Sequence, residues 1–209
     1  MARAEPDTEA LLQRAAQGER AARSQLLDRH YQRLRRMVAL RLDPRVAPRV
    51  DPSDVLQESL AEAVQQMSDY LRRRPLPFYP WLRQIAWQRI VDVHRRHLHA
   101  RKRSVLREED VIVSDGSAFE LAGRLFRRGS TSPSSRMRRR ELSDQVRRAL
   151  LQLSEKNREV LMLRYLEQLT PGEIAAILGV SEGAVSMRHA RALQQLRAIL
   201  GEFLGDFEP

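Results

Sequence analysis

Four groups of residues in this 209-residue chain have types and spacings that could do chemistry. Asp54 and Glu58 stand an i,i+4 step apart, so a helix puts both carboxylates on one face. No sequence partner beside them suggests acid–base work. Asp92, His94, His97 and His99 make the one metal-like cluster. Flanking Arg95, Arg96 and Arg101 would repel a cation there, so phosphate contact or a solvated face is the better reading. The third group is a run of arginines, and the fourth is a helix–turn–helix signature near the C-terminus. The chain has no Cys, which removes thiol nucleophiles, disulfides and Cys-built zinc sites and suits a reducing cytoplasm. No phosphate-cradling glycine loop or dinucleotide fingerprint appears. The expectation is a binding protein, not an enzyme, with no cofactor and no resident metal.

The charge is segregated. From Arg72 to Arg107 there are eleven basic residues against one acid, Asp92, which accounts for the whole net charge of +10. Residues 51–70 carry five acids (Asp51, Asp54, Glu58, Glu62, Asp69) and no base. A polyanion is drawn to one stretch and repelled by the other, so the two are expected to serve different partners. All basic residues except Lys102 and Lys156 are Arg. Arg forks onto phosphate and guanine and stacks on bases, although a GC-rich genome would also favour it everywhere. No apolar run approaches the ~20 residues a membrane span needs, and the mixed-charge N-terminus is unlike a signal peptide.

The elements that must position these groups are helices. Residues 7–43 read as one helix through Leu26, Leu27, His30, Tyr31, Leu34, Met37, Val38 and Leu42, ended by Asp43-Pro44 and Ala47-Pro48. A second runs from about Pro52 to Leu71, capped by Asp51, with Val55, Leu56, Leu60, Ala63, Val64, Met67 and Leu71 as its apolar stripe. After a Pro-rich turn, a third runs from about Trp81 to His99, with Trp81, Leu82, Ile85, Ala86, Ile90 and Val93 facing inward. From 101 to 135 the periodicity dissolves, apart from the short apolar run Val111–Val113, and Thr131–Ser135 offers a cap for the helical pattern that resumes at Arg136. The expected fold is all-α: two small helical domains, 7–100 and 136–205, joined by a flexible linker, 101–135.

The strongest local motif spans Leu169–Val185. Thr170 and Glu173 are spaced as a capping box, with Pro171 at the first helical position. Ile174, Ile177 and Leu178 point inward, Ala175 leaves room for a second helix, and Gly179 suits the left-handed residue that ends the first. Ser181 caps the second helix, whose buried side carries Val185, Ala192 and Leu196. In such a motif the second helix enters the major groove. Ser181, Glu182, Gly183, Ser186, Met187 and Arg188 are the candidates for base edges, with Arg191 and Arg197 further along for phosphate. An ordinary helical hairpin is the alternative, and capping box, glycine and spacing together weigh against it. Residues 136–209 hold twelve bases and ten acids, so this reader alone would bind DNA modestly.

Two stretches of the first half, Asp51-Pro52-Ser53-Asp54-Val55-Leu56-Gln57-Glu58 and Phe78-Tyr79-Pro80-Trp81-Leu82-Arg83-Gln84-Ile85-Ala86 followed by Ile90–Arg96, resemble the sigma-70 family of bacterial RNA polymerase sigma factors. Leu153–Leu161 and the helix–turn–helix extend the likeness, which is to the small two-domain extracytoplasmic-function (ECF) group. The resemblance implies that the acidic helix docks on the coiled coil of the largest-subunit clamp of core RNA polymerase, through Asp54, Gln57 and Glu58, with Val55 and Leu56 packing at the same place. It also implies that the basic helix holds the melted nontemplate strand of the minus-ten element. Arg83, Gln84, Trp87, Gln88, Arg95 and Arg96 are the candidates, and Phe78, in the preceding loop, is placed to cradle a flipped-out base. Trp81 falls on the apolar stripe and reads as core. The helix–turn–helix would read the minus-thirty-five element of promoter DNA. The group commonly has an anti-sigma partner, which no residue here demands. A stand-alone dimeric helix–turn–helix regulator is the competing reading, against which the acidic patch argues.

Overall fold

The computed structural model describes residues 6–43, 46, 49–98, 118, 121 and 136–204. They are helical throughout apart from turns, and the chain divides into two compact units, Met1–Ile112 and Val113–Pro209.

The first unit holds α1 (Pro6–Ala16), α2 (Arg20–Arg41), α3 (Pro52–Arg73) and α4 (Phe78–Leu98). The single helix expected over 7–43 is two, because Gly18 takes a left-handed conformation, φ +92°, that closes α1 and turns the chain. Arg14 Nε spans the turn to Glu19 at 2.8 Å. Leu42, extended at φ −73° and ψ 123°, ends α2 just before the residue that precedes Pro44. Asp51 caps α3, its Oδ1 accepting from the Ser53 amide at 2.7 Å. Arg74 ends α3 with φ 41° and pairs through Nη1 with Glu9 of α1 at 2.7 Å. Helix α4 starts at Phe78, three residues ahead of the expected Trp81. Pro80 is then in the first turn, where a missing N–H costs nothing.

The core of this unit is built from Leu26, Leu34, Met37, Leu56, Met67, Leu82 and Ile90, all fully enclosed. Every residue expected on the inner face of α4 is buried. On α3, Val64 departs from the expected stripe and is 59 % exposed, because Ala63 takes the inward position and its neighbour is rotated by a helical step.

The second unit holds α5 (Arg136–Gln152), α6 (Glu155–Leu161) running into a π-helical turn (Met162–Leu166), α7 (Pro171–Leu178) and α8 (Glu182–Leu204). Leu150, Leu161, Met162, Leu163, Leu166, Leu169 and Leu196 form its core. The π turn is closed by the Glu167 amide on the Met162 carbonyl at 3.1 Å, and Gln168 follows with φ +59°. Within the stretch read as a linker, Ala118 and Leu121 are helical and fully buried, so at least these two residues are anchored. Val111–Val113 and the expected cap Thr131–Ser135 lie outside the described residues.

Candidate nucleic-acid interface

In the first unit, α3 turns Asp54, Gln57 and Glu58 outward on one face, all exposed. Val55 and Leu56 between them are 2 % and 1 % exposed, so they pack the unit's own core and are not available to a partner. Ser59 is also buried, its hydroxyl donating to the Val55 carbonyl at 2.6 Å. Glu62 leaves the acidic face, held by Arg89 of α4 at 2.7 Å. The acidic surface is therefore narrower than the sequence run, and one base of α4 is already neutralised.

Helix α4 presents Gln84, Gln88, Arg95 and Arg96 to solvent. Arg95 pairs with Asp92 at 2.9 Å and Arg96 Nε donates to the Asp92 carbonyl at 3.3 Å. Exposed pairs of this kind contribute little and exchange readily for phosphate. Trp87 is half-buried, with the guanidinium carbons of Arg41 and Arg83 at 5.6 Å and 5.7 Å from its ring centre. Arg83 itself is 5 % exposed, so its expected contact with a DNA strand is corrected: it supports the Trp87 ring from inside. Arg41 was missed by sequence reading, although a basic residue one turn after Met37 and Val38, on their buried stripe, was its signal.

Phe78 is also corrected. It is the first residue of α4, not a loop residue, and is 3 % exposed. Its ring lies 5.3 Å from His30, 5.5 Å from Tyr70 and 5.6 Å from Trp81, so no face is free for a base. Tyr70 stacks on Trp81 at 4.3 Å and donates its hydroxyl to the Leu76 carbonyl at 3.1 Å. Burial pushes its pKa up to about 12, so it stays a neutral packing residue. His94 likewise has a structural role, since its Nε2 accepts from the Asp43 amide at 3.1 Å and ties the end of α2 to α4. Among the described residues no group of three His, Cys, Asp or Glu is placed to hold a metal ion. His99 lies outside them.

In the second unit the helix–turn–helix is assembled as its signals specify. Thr170 Oγ1 accepts from the Glu173 amide at 3.2 Å while Glu173 Oε2 accepts from the Thr170 amide at 2.8 Å, a complete capping box. Gly179 adopts φ 63° and ψ 36°, and the Val180 amide closes the turn on the Ala175 carbonyl at 3.1 Å. Ser181 Oγ accepts from the Ala184 amide at 3.2 Å and so caps α8. Val185, Ala192 and Leu196 are buried; Ile174 is too, while Ile177 and Leu178 are half-buried.

The chain matches the family Sigma-70 region 2 over residues 27–100 and Sigma-70, region 4 over residues 149–198. It is 30 % identical over 186 residues to the ECF RNA polymerase sigma-E factor of Salmonella typhimurium, covering 89 % of this chain and 90 % of that one. It is 28 % identical over 153 residues to the ECF RNA polymerase sigma factor SigM of Bacillus subtilis, covering 73 % and 82 %. This chain belongs to the ECF sigma factors of the sigma-70 family. A solved structure of CnrH in complex with the cytosolic domain of CnrY has the same architecture, with a TM-score of 0.54 and 25 % identity over 94 % of this chain and 99 % of that one. Like its relatives, this sigma factor is a non-enzymatic initiation factor that directs promoter-specific transcription.

On the sigma factor's region 4, the outward side of α8 carries Ser181, Glu182, Gly183, Ser186, Met187, Arg191 and Arg197, all exposed, with Arg188 half-buried. All the sequence candidates of this unit thus lie on or at the edge of one accessible helix surface. Two supports had no sequence signal. Tyr165, on the π turn, holds His189 of α8 through its hydroxyl at 3.0 Å from Nε2, and the two rings stack at 5.6 Å. Asn157 Nδ2 donates to Gln195 Oε1 at 2.9 Å, fixing α6 to the far half of α8. Burial, with Arg164 adding to it, lowers the His189 pKa below its ordinary value and favours the neutral ring that accepts or donates in this pair. No helix among the described residues is long and apolar enough to cross a membrane.

Proposed function

We propose that this sigma factor works by a division of surfaces. The Asp54–Gln57–Glu58 face of α3 docks on core RNA polymerase, at the coiled coil of the largest-subunit clamp. Gln84, Trp87, Gln88, Arg95 and Arg96 of α4 hold the melted nontemplate strand. Ser181, Glu182, Gly183, Ser186, Met187, Arg188, Arg191 and Arg197 meet the duplex upstream. The supporting physics is independent of kinship. Unstacked bases gain ~1–3 kcal/mol each on aromatic surfaces such as the accessible part of Trp87, and side-chain amides and guanidinium groups meet base edges and phosphates. A narrow acidic face cannot hold DNA and suits a basic protein surface instead. The observation that carries the reading is an exposed face on α3 with the carboxylates Asp54 and Glu58 beside Gln57, next to a helix that presents exposed arginines, in one chain with a fully capped helix–turn–helix.

The protein acts in the cytoplasm, where polymerase and promoters are. That CnrH has been solved with the cytosolic domain of CnrY supports a further protein partner, of the anti-sigma kind, for this chain. The test is transcription in vitro with core polymerase and a library of genomic promoters. Selective initiation that depends on added sigma factor is expected. A footprint on palindromic DNA without polymerase would replace this reading with a dimeric regulator.

A further inference from the structure

Met187 is 57 % exposed, a large apolar side chain left open on the outward surface of α8, one turn after the capped start of the helix. Burying it in its own unit would have been favourable, and an unbranched thioether gives nothing to water or phosphate. Its surroundings limit what it can meet. Ser186, beside it, already donates its hydroxyl hydrogen to the Glu182 carbonyl at 3.0 Å, so towards a partner it can only accept. The Glu182 carboxylate also only accepts. Gly183, one turn before Met187, has no positive φ, and a Cβ there would meet nothing closer than Ser181 Oγ at 3.9 Å. Neither backbone strain nor crowding calls for that glycine, while a missing side chain lets the helix approach a partner closely.

From 182 to 187, therefore, the side chains of this helix are a carboxylate, a hydroxyl, a gap and one exposed apolar group, with no cation among them. In the major groove the one apolar group on a base edge is the thymine C5-methyl, and the groups that need acceptors are the amino groups of adenine and cytosine. Guanine, which shows two acceptors, meets no side-chain cation here before Arg188.

Building on the duplex-reading assignment above, we infer that Met187 is a specificity-determining residue that packs against a thymine methyl in the upstream promoter element. Selection of a library randomised in that element, using holoenzyme reconstituted from core polymerase and this sigma factor, would show thymine enriched at one base-pair position. Deoxyuridine at that position removes only the methyl; it would weaken wild-type binding roughly fivefold. With Met187→Ala the enrichment would vanish and thymine and deoxyuridine duplexes would bind alike, while an unchanged thermal unfolding of the second unit reports that α8 is still folded. Unaltered thymine enrichment in Met187→Ala overturns the assignment. So does equal wild-type binding of thymine and deoxyuridine at every upstream position, even though the duplex-reading assignment stands. A wild-type holoenzyme that enriches no upstream sequence brings down both.

Discussion

The two units deploy charge in opposite ways. In the first, acidic α3 and basic α4 lie side by side, and part of that charge is spent internally: Arg89 on Glu62 and Arg95 on Asp92, with Arg83 folded in against Trp87. In the second, twelve bases and ten acids nearly balance from 136 to 209, and the start of α8 presents Gly183, Ser186 and Met187 without a positive charge. On the proposed division of surfaces, the first unit suits electrostatic partition between a protein and a strand, the second shape and base-edge fit. On that proposal, a reader with so little net charge is expected to bind DNA weakly alone and to depend on delivery by a larger assembly.

The largest effect that would sharpen this contrast concerns Phe78. As a member of the His30–Tyr70–Phe78–Trp81 cluster, Phe78→Ala should cost about 3–5 kcal/mol of unfolding free energy in the first unit, measured by urea titration. A base-cradling ring would instead be replaceable with little loss of stability and a selective loss of promoter opening. Next comes the acidic face. Asp54→Arg with Glu58→Arg should reduce core-polymerase affinity at least tenfold in a pull-down, with stability lowered by only about 1 kcal/mol, since both residues are exposed and only Asp54 lies in the first turn of α3. Unchanged affinity would remove α3 from the docking surface.

The same contrast explains how far the sequence could be read. The helix–turn–helix is specified by residues close together in the chain: Thr170 with Glu173, Gly179, and Ser181 with Ala184. Each makes a local hydrogen bond or supplies a local φ, so spacing alone predicts geometry, and the candidates on α8 emerge accessible or half-buried. In the first unit, accessibility is decided by four helices packing together. The aromatic pattern Phe78–Tyr79–Pro80–Trp81 does not say which rings meet His30 and Tyr70, and an Arg at position 83 reads as surface until Trp87 is found beside it. Fold class was legible, but the helix inventory only in part; the break at Gly18 was written in that glycine but hidden by an otherwise continuous pattern. The π turn at Met162–Leu166 has no compositional signature.

Smaller perturbations separate local from tertiary control within the second unit. Gly179→Ala should destabilise it by about 1–2 kcal/mol, purely from the left-handed backbone, since an added Cβ meets nothing within 4 Å. Thr170→Ala should cost about 1 kcal/mol by dissolving the capping box. Both are read by thermal unfolding; a loss from Gly179→Ala no greater than at an ordinary helical position would mean the turn is not strained as described. Arg191→Ala should weaken duplex binding by the holoenzyme almost uniformly across sequences and lower the salt slope by roughly one unit. A sequence-selective loss would move Arg191 from the phosphates to the base edges.

The smallest effect is a pH dependence confined to α8 and the π turn. Burial and, secondarily, Arg164 lower the folded-state pKa of His189 below its ordinary 6.5. The unfolded chain therefore takes up a proton at this residue before the folded chain does. The stability that the neutral ring contributes is complete above pH 6.5 and is lost as the pH falls through the lowered folded value. His189→Gln keeps a polar group within reach of the Tyr165 hydroxyl but cannot titrate. Unfolding of the wild type should thus grow easier than that of His189→Gln as the pH drops below 6.5, with parallel behaviour above it. Parallel curves on both sides would mean that the imidazole is as well solvated folded as unfolded, and that α8 is held in place by its apolar seam and the Asn157–Gln195 bond without help from the Tyr165–His189 pair.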